Sequence, residues 1–187
     1  MNNWISELKT NLATEFDKRP AVATLATVNA VRSGSQADAR SVVVRDLLED
    51  GTLIITSDAR SEKNSQLRSN PSATLVFWLP TLRWQCIVRA DATIFGPDAS
   101  DAMRLQQWQK LSDATRAMFT WPVPGEVFDP SIGFSRKVGA NDNPPESFEV
   151  LMLNPLAVET LDVWEHPHRR VMWDKAGGGW MSRVVNP

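Results

Sequence analysis

The sequence predicts a mainly β, α+β protein: an antiparallel barrel carrying a few peripheral helices. Three observations lead there. Runs rich in β-branched and small apolar residues recur along most of the chain, helical periodicity is confined to a few short stretches, and no glycine-rich strand-to-helix turn of the type G-x-G-x-x-G is present. Many strands with few helices favour a closed antiparallel sheet over a doubly wound parallel one.

The elements follow in order. Trp4, Ile5, Leu8, Leu12 and Phe16 repeat at helical intervals and give one apolar face, which Arg19-Pro20 ends. AVATLATV and ARSVVVRDLL read as the first two strands. Glu49-Asp50-Gly51 makes a tight turn, and TLIITS returns as the third strand. Ser61 to Arg68 is a short helix stopped by Asn70-Pro71. ATLVFWL follows as a buried strand. The next strand, RWQCIVRADATIFG, alternates, with Trp84, Cys86, Val88, Ala90, Ala92 and Ile94 on the apolar side.

Asp98 caps a helix running to about Leu111, with Asp101 near its positive end and with Leu105, Trp108 and Leu111 on one face. Ser112 to Phe119 forms a second short helix. From Trp121 to Pro145 the chain holds five prolines and three glycines without periodicity, so it reads as a long loop whose composition allows partial disorder. SFEVLML, AVETLDVW, RRVMW and WMSRVV are the closing strands, with Lys175 to Gly179 as a hairpin turn.

With 187 residues the chain fits a single domain spanning 1–187, large enough to bury one substantial core. A net charge of −2 gives no global field for nucleic acid. The one cysteine, Cys86, excludes an internal disulfide and a cysteine-rich metal site; on the apolar side of a strand it is an inert core thiol. No apolar run approaches the roughly 20 residues of a membrane span, and the amphipathic N-terminus lacks a signal-peptide core. The expectation is a soluble, cytoplasmic protein. His166 and His168 supply two ligands where a metal needs at least three, so no metal site is expected.

Cations recur where strands end. Arg40 and Arg45 bracket SVVV, and Arg60, Ser61 and Lys63 follow TLIITS. Guanidinium forks, an ammonium, hydroxyls and a helix N-terminus together suit a phosphate. The plain alternative for Arg60 and Lys63 is a solvated helix start. For Arg40 and Arg45 it is a carboxylate partner such as Asp46 or Asp58.

The order of these motifs resembles the pyridoxamine 5′-phosphate oxidase-like family of FMN-binding split barrels, from about Pro20 to Pro187. The motifs are Arg40-Ser41-Val42-Val43-Val44-Arg45, Thr56-Ser57, Arg60-Ser61-Glu62-Lys63 before Asn70-Pro71, and Gln85 on the long strand. At the C-terminus they are Leu153-Asn154-Pro155 with Val158-Glu159, His168-Arg169-Arg170, and Trp180 with Arg183 and Pro187. The resemblance implies FMN as cofactor, a homodimer with the flavin at its interface, and a small-molecule substrate. Arg40, Arg60, Ser61 and Lys63 would hold the phosphate, and Thr56 and Ser57 phosphate or ribityl oxygens. Gln85 and the backbone of Val42 and Val43 would face the ring, Ser41 would also contact the cofactor, and Thr115 and Arg116 would replace a Gln-Ser pair. Arg170 would approach the flavin from the C-terminal segment. Arg45 and His168, with Arg170, would serve the substrate side as catalytic residues.

The substrate half departs from the family. Its phosphate-binding Tyr cannot exist in a chain with no tyrosine, and Leu105 falls near that place. An Arg is replaced by His166, and a Trp by Leu161. An FMN-dependent oxidoreductase with a substrate of its own is one reading, and a flavin-binding or sensing module without turnover is the other.

Overall fold

The computed structural model describes residues 3–17, 19–29, 34–97 and 102–187. Their order is α1 (Trp4–Phe16), β1 (Ala21–Asn29), β2 (Gln36–Leu47), β3 (Leu53–Asp58), α2 (Glu62–Ser69), β4 (Ser72–Leu79), β5 (Trp84–Phe95), α3 (Ala102–Lys110), α4 (Asp113–Met118), β6 (Phe148–Asp162), β7 (Arg169–Ala176) and β8 (Gly179–Val185). Strands pair antiparallel in the order β3-β2-β1-β4-β5-β6-β7-β8, and β6 returns to pair with β3. The first six therefore close into a barrel, and β7 and β8 extend from it as a wing. Closure removes the free edges that a six-stranded open sheet would carry. The expected antiparallel split barrel is the observed fold.

β6 is longer than the sequence suggests. Asn154-Pro155 looks like a break between two strands, yet the chain runs straight through. The pairing with β5 slips by one residue there: Ala90 faces Pro155 and Arg89 faces Ala157, leaving Leu156 as the extra residue. Such a slip accommodates a residue that has no N–H to offer the ladder. The first half of β6 pairs with β3 and β5, the second with β5 and β7.

The alternation read in β5 holds. Trp84, Cys86, Val88 and Ala90 are buried in the main core, while Ala92 and Ile94 pack partly buried against it. Cys86 is fully buried, and burial, with Glu7 and Glu159 nearby, pushes its thiol pKa far up, which keeps it protonated and unreactive. α1 plugs one end of this core through Trp4, Ile5 and Leu8. The β2–β3 turn meets that helix at Gly51, whose φ is +92°; a Cβ there would lie 2.5 Å from Cζ2 of Trp4. Gly51→Ala is therefore expected to destabilise by roughly 2–4 kcal/mol, from backbone strain and overpacking together. Urea denaturation against the wild type measures it.

A second cluster of Ile54, Trp108, Leu111, Phe119, Phe148 and Val150 seats α3 and α4 against β3 and β6. The expected cap Asp98, and Asp101 at the positive end of the helix, lie outside the described residues. The apolar face read on α3 needs correcting. Arg104, Gln107, Trp108 and Leu111 are the buried positions, and Leu105 is exposed. Positions i, i+3, i+4 and i+7 share a face, and Leu105 sits about 100° off it. Arg104 earns its burial as a clasp, donating from Nε to the Phe148 carbonyl at 2.8 Å and from its fork to Pro144 and Pro145.

The last hairpin turns on Gly177-Gly178 alone, at φ +57° and +83°, the backbone a two-residue hairpin loop requires. No helix of the described residues is long and apolar enough to cross a membrane.

Candidate functional site

Outward from β2 and β3 lies a cleft of about 510 Å³, within the usual size range for small-ligand sites. Its floor is Ser41, Val42, Val43, Arg45, Thr56, Ser57 and Lys63; Thr115 comes in from α4. Eight of the residues singled out from the sequence thus meet on one surface. The strand period explains part of this: Val42 and Val44 are buried in the core, so Ser41 and Val43 face outward.

Arg45 reaches the cleft by a different route. The β2–β3 register shifts between Val44 and Asp46, so Arg45 is a bulged residue with no strand partner. A bulge re-aims a side chain, and Arg45 Nε donates to Thr56 Oγ1 at 3.2 Å. Burial lowers the pKa of its guanidinium. The two carboxylates considered as its partners are taken elsewhere: Asp46 pairs with Lys110 at 3.1 Å and Asp58 with Arg60 at 2.7 Å. Lys63 Nζ donates to Ser61 Oγ at 2.9 Å. Its pKa is lowered by burial first and by repulsion from Arg40 second, with Asp58 opposing. Among the described residues neither Arg45 nor Lys63 has an ion-pair partner. Burial disfavours the charge on both, repulsion from Arg40 adds to it at Lys63, and a bound anion would relieve it.

The other predicted phosphate ligands sit around this cleft rather than in its lining. Arg40 turns toward α2, donating to Thr27 Oγ1 at 2.5 Å and to Gln66 Oε1 at 3.0 Å. Arg60 forms a forked pair with Asp58 and also donates to the Trp121 carbonyl at 2.9 Å, tying the long loop to the helix entry. The Ser61 hydroxyl lies 2.6 Å from the Asp58 carbonyl, its acceptor. Arg116 does not line the cleft. It is buried, and its guanidinium is spent on the Val138, Trp108 and Leu111 carbonyls and on Asp113. Its visible part is structural, because a buried cation must be saturated with acceptors.

Gln85, His168 and Arg170 lie elsewhere on the barrel. Gln85 faces Trp78 on one side and Leu161 on the other, and Leu161 faces Arg170. These residues form one row on the outer face of β4 to β7. β5 stands three strands from β2 in either direction around the barrel, so the row and the cleft point away from each other in a single chain. Arg170 pairs with the buried Glu159, Nε to Oε1 at 3.0 Å. His168 Nδ1 lies 3.0 Å from the Glu165 carbonyl in an exposed turn, and its ring is 5.0 Å from that of His166. Among the described residues no three His, Cys, Asp or Glu side chains group as a metal site.

The roof of the cleft was not legible in the sequence. Trp121, Pro122, Val123, Pro124, Phe128 and Phe134 from the long loop cover the floor. Trp121 and Phe134 meet edge to face at 5.3 Å, and Phe128 stacks on Phe134 at 6.2 Å. The loop has no helix or strand, but it is tied down: Trp121 Nε1 donates to Ser135 and Ser147 Oγ to Phe119, besides the Arg60 contact. Prolines and aromatics interspersed in a polar segment were the available signal. What they cover depends on the barrel beneath.

An antiparallel barrel whose cleft sets Arg45 and Lys63 in its floor, aromatics in its roof and Asp58, Glu126 and Asp129 at its sides has the shape and chemistry of a small-ligand binding protein. The model of the pyridoxamine 5′-phosphate oxidase FMN-binding domain matches residues 1–96. The chain belongs to that family, and its cofactor is FMN. A pyridoxine/pyridoxamine 5′-phosphate oxidase of Caulobacter vibrioides is 26% identical over 186 residues, covering 91% of this chain and 78% of the relative. A dihydrophenazinedicarboxylate synthase of Pseudomonas chlororaphis is 26% identical over 178 residues, covering 91% and 76%. Among solved structures, a pyridoxamine 5′-phosphate oxidase-related, FMN-binding protein of Nostoc punctiforme superposes with a TM-score of 0.90 at 28% identity, covering 100% of this chain and 99% of that one. A Burkholderia lata protein crystallised with tetrahydrophenazine-1-carboxylic acid shares the fold at TM-score 0.77 and 19% identity, covering 100% and 94%.

Proposed function

We propose that this chain is an FMN-dependent oxidoreductase acting on a small molecule, working as a homodimer. The observation that carries the reading is the pair Arg45 and Lys63, two half-desolvated cations in the cleft without carboxylate partners among the described residues. Lys63, the entry to α2 and the hydroxyl of Thr56 hold the phosphate end; the Ser57 hydroxyl is already donated to Asn64. Val42 and Val43 offer backbone along the ring, and the loop aromatics exclude water above it. Bound there, FMN supplies hydride acceptance at N5. The cleft lining contains no His or Cys, so the chain's own part is binding, orientation and charge.

The row on β4 to β7 supports the dimer. Gln85 and Arg170 can reach the same ligand as Arg45 only if they come from a second copy. Trp78, half-exposed in that row, gives the surface an apolar residue to bury. The names of the two curated relatives, an oxidase and a synthase, support oxidoreductase chemistry, and the altered vitamin-binding positions argue for a different substrate.

The test is direct. The purified protein, reconstituted if necessary, is expected to be yellow, to carry about one FMN per chain, and to bleach anaerobically with NADH, NADPH or a reduced substrate. Failure to retain FMN sinks the reading. Retention without bleaching by any donor favours the alternative, a flavin-binding module without turnover.

A further inference from the structure

Behind the phosphate end of the cleft runs a buried polar chain that no motif of the family flagged. Glu149 on β6 is the register partner of Ser57 on β3, and its carboxylate is almost wholly buried. One oxygen accepts from Asn64 Nδ2 at 2.6 Å, and the other pairs with Arg68. Asn64 and Arg68 are four residues apart on α2, so they share a helix face and grip one carboxylate between them. The grip needs space on the other side, and Gly96 provides it: a Cβ at that position would stand 3.0 Å from Glu149 Oε1.

The chemistry sets every orientation in this chain. An ionised carboxylate only accepts, so the amide nitrogen of Asn64 faces it and the amide oxygen faces the cleft. That oxygen accepts from Ser57 Oγ at 2.5 Å and lies 3.1 Å from Ser61 Oγ. Ser61 is the N-cap residue of α2, and its hydroxyl oxygen accepts from Lys63. Asn64, with no exposed surface, thus joins β3, β6 and the entry of α2 through one side chain.

We infer that Asn64, Glu149 and Arg68 form a clamp of positioning residues that fixes the α2 entry and Lys63 against β3, and so sets the preference of the site for a phosphorylated flavin. The inference rests on the reading that this cleft holds the FMN phosphate. A clamp buried behind the phosphate end acts on the phosphate contact and not on the ring, which lies along Val42 and Val43. Its loss therefore costs FMN but not riboflavin.

The experiment measures dissociation constants for FMN and for riboflavin by quenching of flavin fluorescence, together with thermal midpoints. The proteins are wild type, Asn64→Ala, Glu149→Gln, Lys63→Ala and the double variant Asn64→Ala/Lys63→Ala. The expected result is about a tenfold loss of FMN affinity in Asn64→Ala and a severalfold loss in Glu149→Gln, with riboflavin affinity within about twofold of wild type. The double variant is expected to be little weaker than Lys63→Ala alone, because the clamp acts through Lys63. If Asn64→Ala does not fold, the isosteric Glu149→Gln carries the test. An unchanged FMN-to-riboflavin preference in the folded variants, or full additivity with Lys63→Ala, overturns the clamp while leaving the cofactor site in place. A wild-type protein that binds riboflavin as tightly as FMN overturns both.

Discussion

Replacing Lys63 by alanine is expected to weaken FMN binding about ten- to a hundredfold. The variant removes one charge-assisted contact worth roughly 1.5–3 kcal/mol, from a residue that has no ion-pair partner among the described residues, although Asp58 lines the same cleft. Riboflavin, which lacks the phosphate, should bind wild type far more weakly than FMN, and Lys63→Ala should hardly change it. Arg40→Ala should act in the same direction but less strongly, since its guanidinium already rests on Thr27 and Gln66. The pH dependence gives an independent check. Lys63 has a lowered pKa in the free protein. A bound phosphate favours the ammonium and raises that value. FMN affinity is therefore full while Lys63 is protonated in the free protein, and falls on the alkaline side as pH rises through the lowered pKa. Lys63→Ala should lose that decline. Equal affinity of wild type for FMN and riboflavin would remove the phosphate assignment.

The FMN-loaded protein is expected to be a poor oxidase of pyridoxamine phosphate, or none. Two groups that would grip the substrate phosphate are missing. The chain contains no Tyr, and Leu105, nearest to its place, is an exposed residue of α3 outside the cleft lining. By the resemblance His166 stands where the family has an Arg, in the exposed turn before β7, with its ring tilted against that of His168 at 5.0 Å. Each lost hydrogen bond to a charged group is worth roughly 1.5–3 kcal/mol, so together they cost about two to four powers of ten in kcat/KM. Steady-state oxidation of pyridoxamine phosphate should accordingly lie well under about 10⁴ M⁻¹s⁻¹, the low end of the usual enzyme range. Turnover at or above that level, collapsing in both Arg45→Ala and His168→Ala, would mean that the vitamin site had been rebuilt from other residues.

Local patterns carried most of the fold. Period-two alternation placed Trp84, Cys86 and Val88 inside, and i, i+3, i+4 spacing placed α1. Long-range effects were not legible. Nothing local to Asn154-Pro155 shows that β5 will absorb an extra residue and keep β6 continuous. The site divides the same way. The cations at strand ends were visible because a core strand seldom ends in unpaired charge. Arg45 reaches the cleft through a bulge, however, which is a property of two strands and not of one. Arg116 looked like a cofactor contact in sequence, yet its surroundings are carbonyls contributed by α3 and the long loop. Asn64, Glu149 and Arg68 are ordinary polar residues until the docking of α2 brings two of them onto the third.

The closure of the barrel through β3 and β6 also governs how the chain must fold. Leu53 pairs with Leu153 and Asp58 with Phe148, contacts of high sequence separation whose loop-closure entropy precedes any reward. While the chain is being synthesised, β1 to β5 can form a meandering sheet, but its two outer strands, β3 and β5, stay open until β6 arrives to fill both sides at once. The segment 1–96 that carries the family signature holds β3 and β5 but not the β6 strand that pairs with both. Without β6 it presents two unpaired edges, the usual templates for strand-to-strand aggregation, so a fragment ending at residue 96 is expected to aggregate where the whole chain does not.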